Sequence, residues 1–286
     1  MRDYYLLTKP NIIYANLLTA IAGFFFASSL KGHIDFATLF AIVSGTALVI
    51  GSACVFNNYT DRIIDTKMER TKRRALAEGR ISPKSAILYA VLLGILGLAI
   101  LFFLTNILTA SLEIIGFFFY VVVYGFLKRK GPYGALVGSI SGAVPIVAGY
   151  CAVMGRLDAA AIILFVILAA WQMPHFYAIA LFRSSEYEAA GIPVFPIKKG
   201  VRGTKVEMLF YAVIFFIASI ILTPLGYTGF AYLAVMGVIG MIWIWLCLKG
   251  LSSQDAPEGW AKKLFFYSLA VIVVFSVMIS IGALLH

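Results

Sequence analysis

Nine apolar runs, each long enough to cross a lipid bilayer, are the feature that most constrains what this chain can fold into. They lie at about 11–29, 38–57, 85–105, 107–127, 134–154, 159–181, 207–225, 228–248 and 264–285. A helix needs about 20 apolar residues to cross the hydrocarbon core, and backbone in lipid must satisfy its own hydrogen bonds. The runs therefore predict an all-α integral membrane bundle of about nine transmembrane helices, forming one domain over 1–286.

Composition excludes a water-soluble protein. The chain is 62% hydrophobic and only 13% charged, whereas soluble domains carry about 25% charged residues. The lipid bilayer must therefore solvate much of its surface. The three cysteines, Cys54, Cys151 and Cys247, lie inside apolar runs without paired spacing, so neither a disulfide framework nor a thiolate metal site is predicted.

The basic residues predict the orientation. Of 23 lysines and arginines, 21 precede the first run or follow the second, fourth, sixth and eighth runs, and only Lys31 and Arg156 lie on the other side. Because cytoplasmic loops concentrate basic residues, we expect a cytoplasmic N-terminus and an external C-terminus at His286. The net charge of +10 is then a topology signal, and no nucleic acid partner is needed to explain it.

A polar stripe ends the second span. Asn57, Asp61 and Asp65 are four residues apart, which places them on one face of a helix. The eight residues from Asn57 to Asp65 rise about 12 Å, too far for all three to bind one Mg²⁺ directly, so two ions or bridging waters are expected. Because Mg²⁺ binds through one or two carboxylates plus substrate phosphates, the stripe suits a diphosphate.

Basic residues follow the stripe closely. They are Lys67, Arg70, Lys72, Arg73 and Arg74. Guanidinium and ammonium groups can neutralise phosphate oxygens, and arginine can bind them in bidentate fashion. The spacing alone is equally compatible with a solvated helix end that carries positive charge on the cytoplasmic side.

The sixth span carries a second polar cluster. Gln172, His175, Arg183 and Glu186 interrupt an otherwise apolar segment, and ionisable residues at membrane depth usually face a cavity or a partner. Pro174 removes a helix hydrogen bond and could open space beside the imidazole. A hydrogen-bonded bundle histidine is the alternative reading of His175.

The fourth span carries a third cluster. Tyr120, Tyr124, Lys128 and Arg129 lie near its cytoplasmic end, where tyrosines commonly form an interfacial belt. Glu113 sits in the outer half of the same span without an obvious partner, and the sequence suggests no function for it.

These motifs resemble a known superfamily. The stripe Asn57, Asp61, Asp65, followed by Arg70 and Arg74, resembles the first aspartate-rich motif of the polytopic membrane prenyltransferases. Within that superfamily several strings resemble the protoheme IX farnesyltransferases over nearly the whole chain: Cys54-Val-Phe-Asn-Asn-Tyr, Met68-Glu-Arg-Thr-Lys, Tyr150-Cys-Ala-Val and Trp171-Gln-Met-Pro-His175.

The resemblance implies a reaction, a cofactor and a location. A farnesyl group passes from farnesyl diphosphate to a vinyl group of haem B with addition of water, giving haem O for terminal oxidases. It implies Mg²⁺ as cofactor, partners that handle haem or assemble an oxidase, and a multi-pass location in the bacterial cell (inner) membrane.

It also implies roles for individual residues. The catalytic and metal-binding residues are Asn57, Asp61 and Asp65, and the diphosphate-binding residues are Arg70, Lys72, Arg74, Lys128 and Arg129. Where the superfamily usually has a second set of aspartates, this chain has His175, Arg183 and Glu186. Glu186 is then the remaining metal-binding carboxylate there, and His175 and Arg183 are expected to bind haem.

Two alternatives remain open at this point. One is prenyl transfer to an aromatic ring, as in quinone synthesis, through the same diphosphate site. The other is a secondary transporter, whose broken helices and intramembrane polar residues look similar. Transport predicts polar groups near the bilayer midplane, whereas these clusters gather at the cytoplasmic ends of spans two, four and six.

Overall fold

A computed structural model describes residues 2–252 and 257–282, and every regular element in these ranges is helical. The elements are α1 (Arg2–Leu7), α2 (Pro10–Lys31), α3 (Phe36–Asp65), α4 (Pro83–Leu104), α5 (Ile107–Phe118), a π-helical segment (Phe119–Tyr124), α6 (Gly125–Leu127), α7 (Gly134–Met154), α8 (Ala159–Phe182), α9 (Ser184–Ala189), α10 (Phe195–Ile221), α11 (Phe230–Ser252) and α12 (Pro257–Ile281). His286, predicted to be external, lies outside the described residues.

Nine spans in the described ranges are long and apolar enough to cross a membrane. The fourth is composite, because α5, the π-helical segment and α6 run on as one span over Ile107–Leu127. Large apolar side chains such as Phe103 and Phe230 are about four-fifths exposed on the outside of the bundle, as a lipid-facing surface requires. The prediction of an all-α, nine-helix membrane bundle is confirmed.

Two long segments that separate apolar runs, 58–84 and 182–206, are partly helical. In the first, 58–84, residues 58–65 continue α3. In the second, 182–206, residues 184–189 form α9 and residues 195–206 belong to α10, which is kinked at Gly200. Lys198, Lys199, Arg202 and Lys205 lie on the two helical parts of this segment. Polar residues hid these extensions, because the apolar runs mark only the part of a helix that lipid or core covers.

The helices α2 and α7 approach closely at the centre of the bundle. A Cβ atom on Gly23 would overlap the carbonyl of Ile146, and one on Gly149 would overlap the carbonyl of Ala20. Small residues at a membrane helix interface let the backbones meet in this way. At this contact no space remains between the two helices.

Candidate active site

One cavity of about 700 Å³ runs into the bundle among α2, α3, the α5–α6 span, α7, α8 and α12. We name three of its regions. The basic end is lined by Lys9, Asn57, Asp61, Asp65, Arg70, Arg74, Lys128 and Arg129; the α5 arm by Val49, Ala53, Glu113, Gly116 and Val144; the α8 arm by Trp171, Gln172, His175, Phe265 and Leu269.

The predicted stripe lies on one helix and faces one space. The helix α3 ends at Asp65, and Asn57, Asp61 and Asp65 all line the basic end. Asn57 and Asp65 are buried. The carboxylates of the second span therefore point to the cavity instead of to solvent around a helix end.

Basic side chains hold both carboxylates in place. Lys128 Nζ donates to Asp61 Oδ2 at 2.5 Å, and Arg129 Nη2 donates to Asp61 Oδ1 at 3.0 Å. Arg74 Nη1 donates to both oxygens of Asp65, at 3.0 and 2.8 Å. Burial lowers the pKa of Lys128, against the opposing effect of Asp61. These contacts join the predicted clusters of spans two and four.

Lys9 completes the basic end, although no motif in the sequence singles this residue out. Its Nζ donates to Asn57 Oδ1 at 2.7 Å, and burial lowers the pKa of this lysine to about 8. Its backbone has φ 53°, a left-handed conformation that is uncommon for a residue other than glycine. This turn between α1 and α2 directs the side chain of Lys9 inward. The positive φ that marks the turn is a property of the folded backbone, so sequence patterns could not reveal it.

Tyr120 and Tyr124 belong to the cavity wall, so their reading as an interfacial belt is wrong. Both rings line the cavity and stack with centroids 5.5 Å apart. Lys128 Nζ lies 5.0 Å from the ring centroid of Tyr124. Both tyrosines fall in the π-helical segment, a local widening that often occurs at functional sites.

His175 is fixed between two aromatic rings in the α8 arm. The imidazole stacks on Trp171 with centroids 5.1 Å apart and lies 4.8 Å from the ring of Phe265. Its Nδ1 is hydrogen-bonded to Ser268 Oγ at 2.8 Å, and the same hydroxyl lies 2.6 Å from the carbonyl oxygen of Phe265. The helix α8 continues through Pro174 without a break.

The structure does not bring three other predicted residues to the cavity lining. Lys72 pairs with Glu69 at 2.7 Å on the exposed surface. Arg183 and Glu186 face each other at 3.7 Å, although Tyr187 beside them lines the cavity. The roles of Lys72 in diphosphate binding, Arg183 in haem binding and Glu186 in metal binding stay predictions.

The donor set at the basic end fits Mg²⁺. Two carboxylates and one amide oxygen, from Asp61, Asp65 and Asn57, are the hard oxygen ligands that this ion prefers. Among the described residues, no group of three histidine, cysteine, aspartate or glutamate side chains could hold a metal ion. Because Asn57 and Asp65 are eight residues apart on α3, a rise of about 12 Å, no one ion binds all three directly. Each Mg²⁺ ion at this site would depend on substrate phosphates or water for the rest of its ligands.

Glu113 has a partner that the sequence did not reveal. Thr46 Oγ1 of α3 donates to Glu113 Oε1 at 2.9 Å, and both residues are buried. Glu113 lines the cavity from the α5 arm. Burying a carboxyl group at membrane depth costs free energy, so such a residue usually has a function.

Close relatives share almost the full length of the chain. Protoheme IX farnesyltransferase of Sodalis glossinidius is 47% identical over 98% of this chain and 94% of its own. Protoheme IX farnesyltransferase 2 of Pseudomonas fluorescens strain Pf-5 is 48% identical over 98% and 95%. Protoheme IX farnesyltransferase of Yersinia pseudotuberculosis is 46% identical over 100% and 96%.

Solved structures share the fold at low sequence identity. A structure of digeranylgeranylglyceryl phosphate synthase superposes with a TM-score of 0.83 at 21% identity, covering 99% of this chain and 98% of that one. A UbiA homologue from Archaeoglobus fulgidus, solved with GPP and Mg²⁺ bound, superposes with a TM-score of 0.69 at 15% identity, covering 97% and 99%. A sequence profile of the UbiA prenyltransferase family matches residues 16–269. This chain belongs to the UbiA prenyltransferase family.

Proposed function

We propose that this protein transfers the farnesyl group of farnesyl diphosphate to a vinyl group of haem B, with addition of water, and so makes haem O. One observation carries the proposal: a single cavity joins a cationic end to apolar and aromatic arms. The relatives named protoheme IX farnesyltransferase support haem as the acceptor over an aromatic ring of the quinone type. Family membership decides against the transporter alternative.

The charge of the basic end suits a diphosphate. Five basic side chains and two carboxylates line it, a net charge of +3 before any metal binds. Arginine and lysine groups form strong charge-assisted hydrogen bonds to phosphate oxygens. We assign Arg70, Arg74, Lys128 and Arg129, with Lys9, to diphosphate binding.

The same residues support departure of the diphosphate. As the bond between farnesyl C1 and the diphosphate oxygen breaks, the electron pair leaves with the diphosphate, and preorganised cations stabilise that charge. Asn57, Asp61 and Asp65 would hold Mg²⁺, which supplies further charge stabilisation when bound. The vinyl group attacks the allylic cation, water adds to the resulting cation beside the porphyrin, and a proton is released.

The apolar walls control the order of these steps. The α5 and α8 arms are lined mainly by aliphatic and aromatic side chains, which suit a prenyl chain and a macrocycle. Exclusion of water protects the allylic cation from hydrolysis until the new carbon–carbon bond has formed. We assign the α8 arm, with His175, to the porphyrin.

The product tests the proposal. Membranes that contain this chain, given haem B, farnesyl diphosphate and Mg²⁺, should yield a haem whose mass has increased by one farnesyl group plus the elements of water, measured by liquid chromatography and mass spectrometry. Membranes without the chain are the control. Prenylation of added hydroxybenzoate, with haem left unchanged, would contradict the proposal and favour the quinone-type reaction.

Replacement of His175 by alanine should impair the porphyrin side of the reaction. Loss of a substrate-positioning group can cost about 100-fold in rate, so we expect a higher KM for haem and slower product formation, with unchanged binding of farnesyl diphosphate. Replacement of Ser268 by alanine, which keeps the imidazole but removes its hydrogen bond, should have a smaller effect. Normal haem kinetics in folded His175→Ala would return His175 to a purely structural role.

We also propose a bacterial inner membrane location with a cytoplasmic N-terminus. The bacterial relatives and the segregation of 21 of 23 basic residues support it. A reporter fused after residue 80 should remain in the cytoplasm and one fused after residue 286 should be external, and the reverse pattern would contradict this orientation. Partners that handle haem stay a prediction.

A further inference from the structure

We propose that Glu113, held by Thr46, forms the floor of the α5 arm and limits the donor to three isoprene units. The inference rests on the proposed function in one respect, that a prenyl diphosphate is the donor. It assigns a specificity role to a buried carboxyl that the transfer chemistry itself does not use.

The α5 arm ends at Glu113. Gly116, Phe117 and Tyr120 of the same span line the cavity between Glu113 and the basic end. Glu113 is the lining residue of α5 that lies farthest from the basic end. One turn closer to the start of α5, Ala110 is buried in the same apolar cluster as Ile42 and Ala20 and lines no part of the cavity. The arm is therefore closed beyond Glu113 by packed side chains.

The cavity lining on α2, α3 and α7 also ends partway along each helix. The deepest lining residues are Val49 on α3, Thr19 on α2 and Pro145 on α7. Immediately beyond them, Gly23 and Gly149 bring α2 and α7 into backbone contact. This close contact leaves no space for a longer chain to continue between the two helices.

The length of the arm matches a farnesyl chain. Val49 and Asp61 are twelve residues apart on α3, a rise of about 18 Å. Twelve carbons lie in line along an extended farnesyl group, and single bonds of about 1.5 Å in a zigzag give about 14 Å. The diphosphate occupies the remaining few ångströms beside Asp61, whereas a fourth isoprene unit would have to pass Glu113.

The polar pair makes this floor resistant to displacement. Thr46 is fully buried and Glu113 is 3% exposed, and the hydroxyl of Thr46 donates to the carboxyl of Glu113 at 2.9 Å. An apolar chain that pushed Glu113 aside would break this bond and strand a buried polar group. A leucine at the same position could change rotamer at much lower cost.

Replacement of Glu113 by alanine should open the arm to a longer donor. The change removes four non-hydrogen atoms, close to the five carbons of an isoprene unit. We expect the ratio of turnover with geranylgeranyl diphosphate to turnover with farnesyl diphosphate to rise about tenfold or more, the range in which pocket size discriminates between substrates. Product masses give the ratio of turnover with the two donors, and competition binding of the two donors in Mg²⁺, without haem, gives the ratio of their affinities, which should shift in the same direction.

Two control variants test whether the size of the Glu113 side chain, and not its charge or the packing around it, limits the length of the donor. Glu113→Gln keeps the size of the side chain and should keep the preference for farnesyl diphosphate. Leu101→Ala creates space in the same buried cluster outside the cavity lining and should also leave the donor ratio unchanged. An unchanged ratio in folded Glu113→Ala, or an equal shift in either control, would overturn the inference.

Donor binding by the unaltered protein tests the inference even if the variant fails to fold. If Glu113→Ala does not fold, the unaltered protein is tested with donors of two, three and four isoprene units, and binding should fall sharply between three and four. Equal binding of three and four units would overturn the inference. Failure to prenylate haem with any donor would overturn the proposed function instead, because donor binding is measured separately.

Discussion

Replacement of Asp61 by asparagine should lower turnover at saturating substrate by about 100-fold or more, the cost of removing one key electrostatic group from an active site. Asp61 meets both Lys128 and Arg129, so it orients two diphosphate-binding cations as well as offering a metal ligand. Asp65→Asn, which loses the pair with Arg74, should behave similarly. The measurement is single-turnover haem prenylation by purified protein.

Loss of folding must be distinguished from loss of chemistry in these variants. Removing one partner of a buried ion pair can destabilise a protein strongly, although Asp61 and Lys128 each keep 14% of their side-chain exposure, which reduces that cost. Thermal unfolding in detergent checks it. Glu69→Gln is the matched control, because Glu69 is an exposed carboxylate whose ion pair in the described part of the chain is with Lys72, and it should retain full activity. Full turnover by folded Asp61→Asn would remove Asp61 from the catalytic machinery.

Removal of divalent metal should stop prenyl transfer almost completely. A metal ion that stabilises a leaving diphosphate contributes several kcal/mol to the transition state, which corresponds to at least about 100-fold in rate. We expect turnover to vanish in excess chelator and to return with added Mg²⁺. The UbiA homologue of Archaeoglobus fulgidus solved with GPP and Mg²⁺ motivates the choice of ion.

Binding separates a metal role from an indirect effect of the chelator. Farnesyl diphosphate should bind the unaltered protein more tightly with Mg²⁺ than without, and Asp61→Asn should lose most of that difference. Turnover in excess chelator at the rate seen with Mg²⁺ would show that the cations of the basic end suffice without a metal.

Features that depend on neighbouring residues along the chain were predictable. The nine spans follow from apolar runs, since the length of each run is set by bilayer thickness. The shared face of Asn57, Asp61 and Asp65 follows from helical spacing, and α3 indeed continues to Asp65. Both are local patterns, so one sequence suffices to read them.

Features that depend on contacts between distant segments could not be predicted from the sequence. Lys9 and Asn57 are 48 residues apart in sequence, and Thr46 and Glu113 are 67 apart, so nothing local pairs them. The turn that aims Lys9 inward depends on packing at the start of the bundle, where Asn58 Nδ2 donates to the carbonyl of Leu7 at 2.7 Å. Lys72 was predicted to bind diphosphate together with Arg70 and Arg74, because a run of basic residues does not reveal which side chains face the cavity.

The π-helical segment makes the fourth span sensitive to insertions and deletions. The segment Phe119–Tyr124 lies between Glu113, which lines the far end of one arm, and Lys128, which holds Asp61. Each residue of an α-helix turns the chain by about 100°, so a one-residue deletion here would rotate Lys128 away from Asp61 while Glu113 stayed in place. The number of residues between these two positions is therefore under tighter constraint than the identity of most residues that fill it.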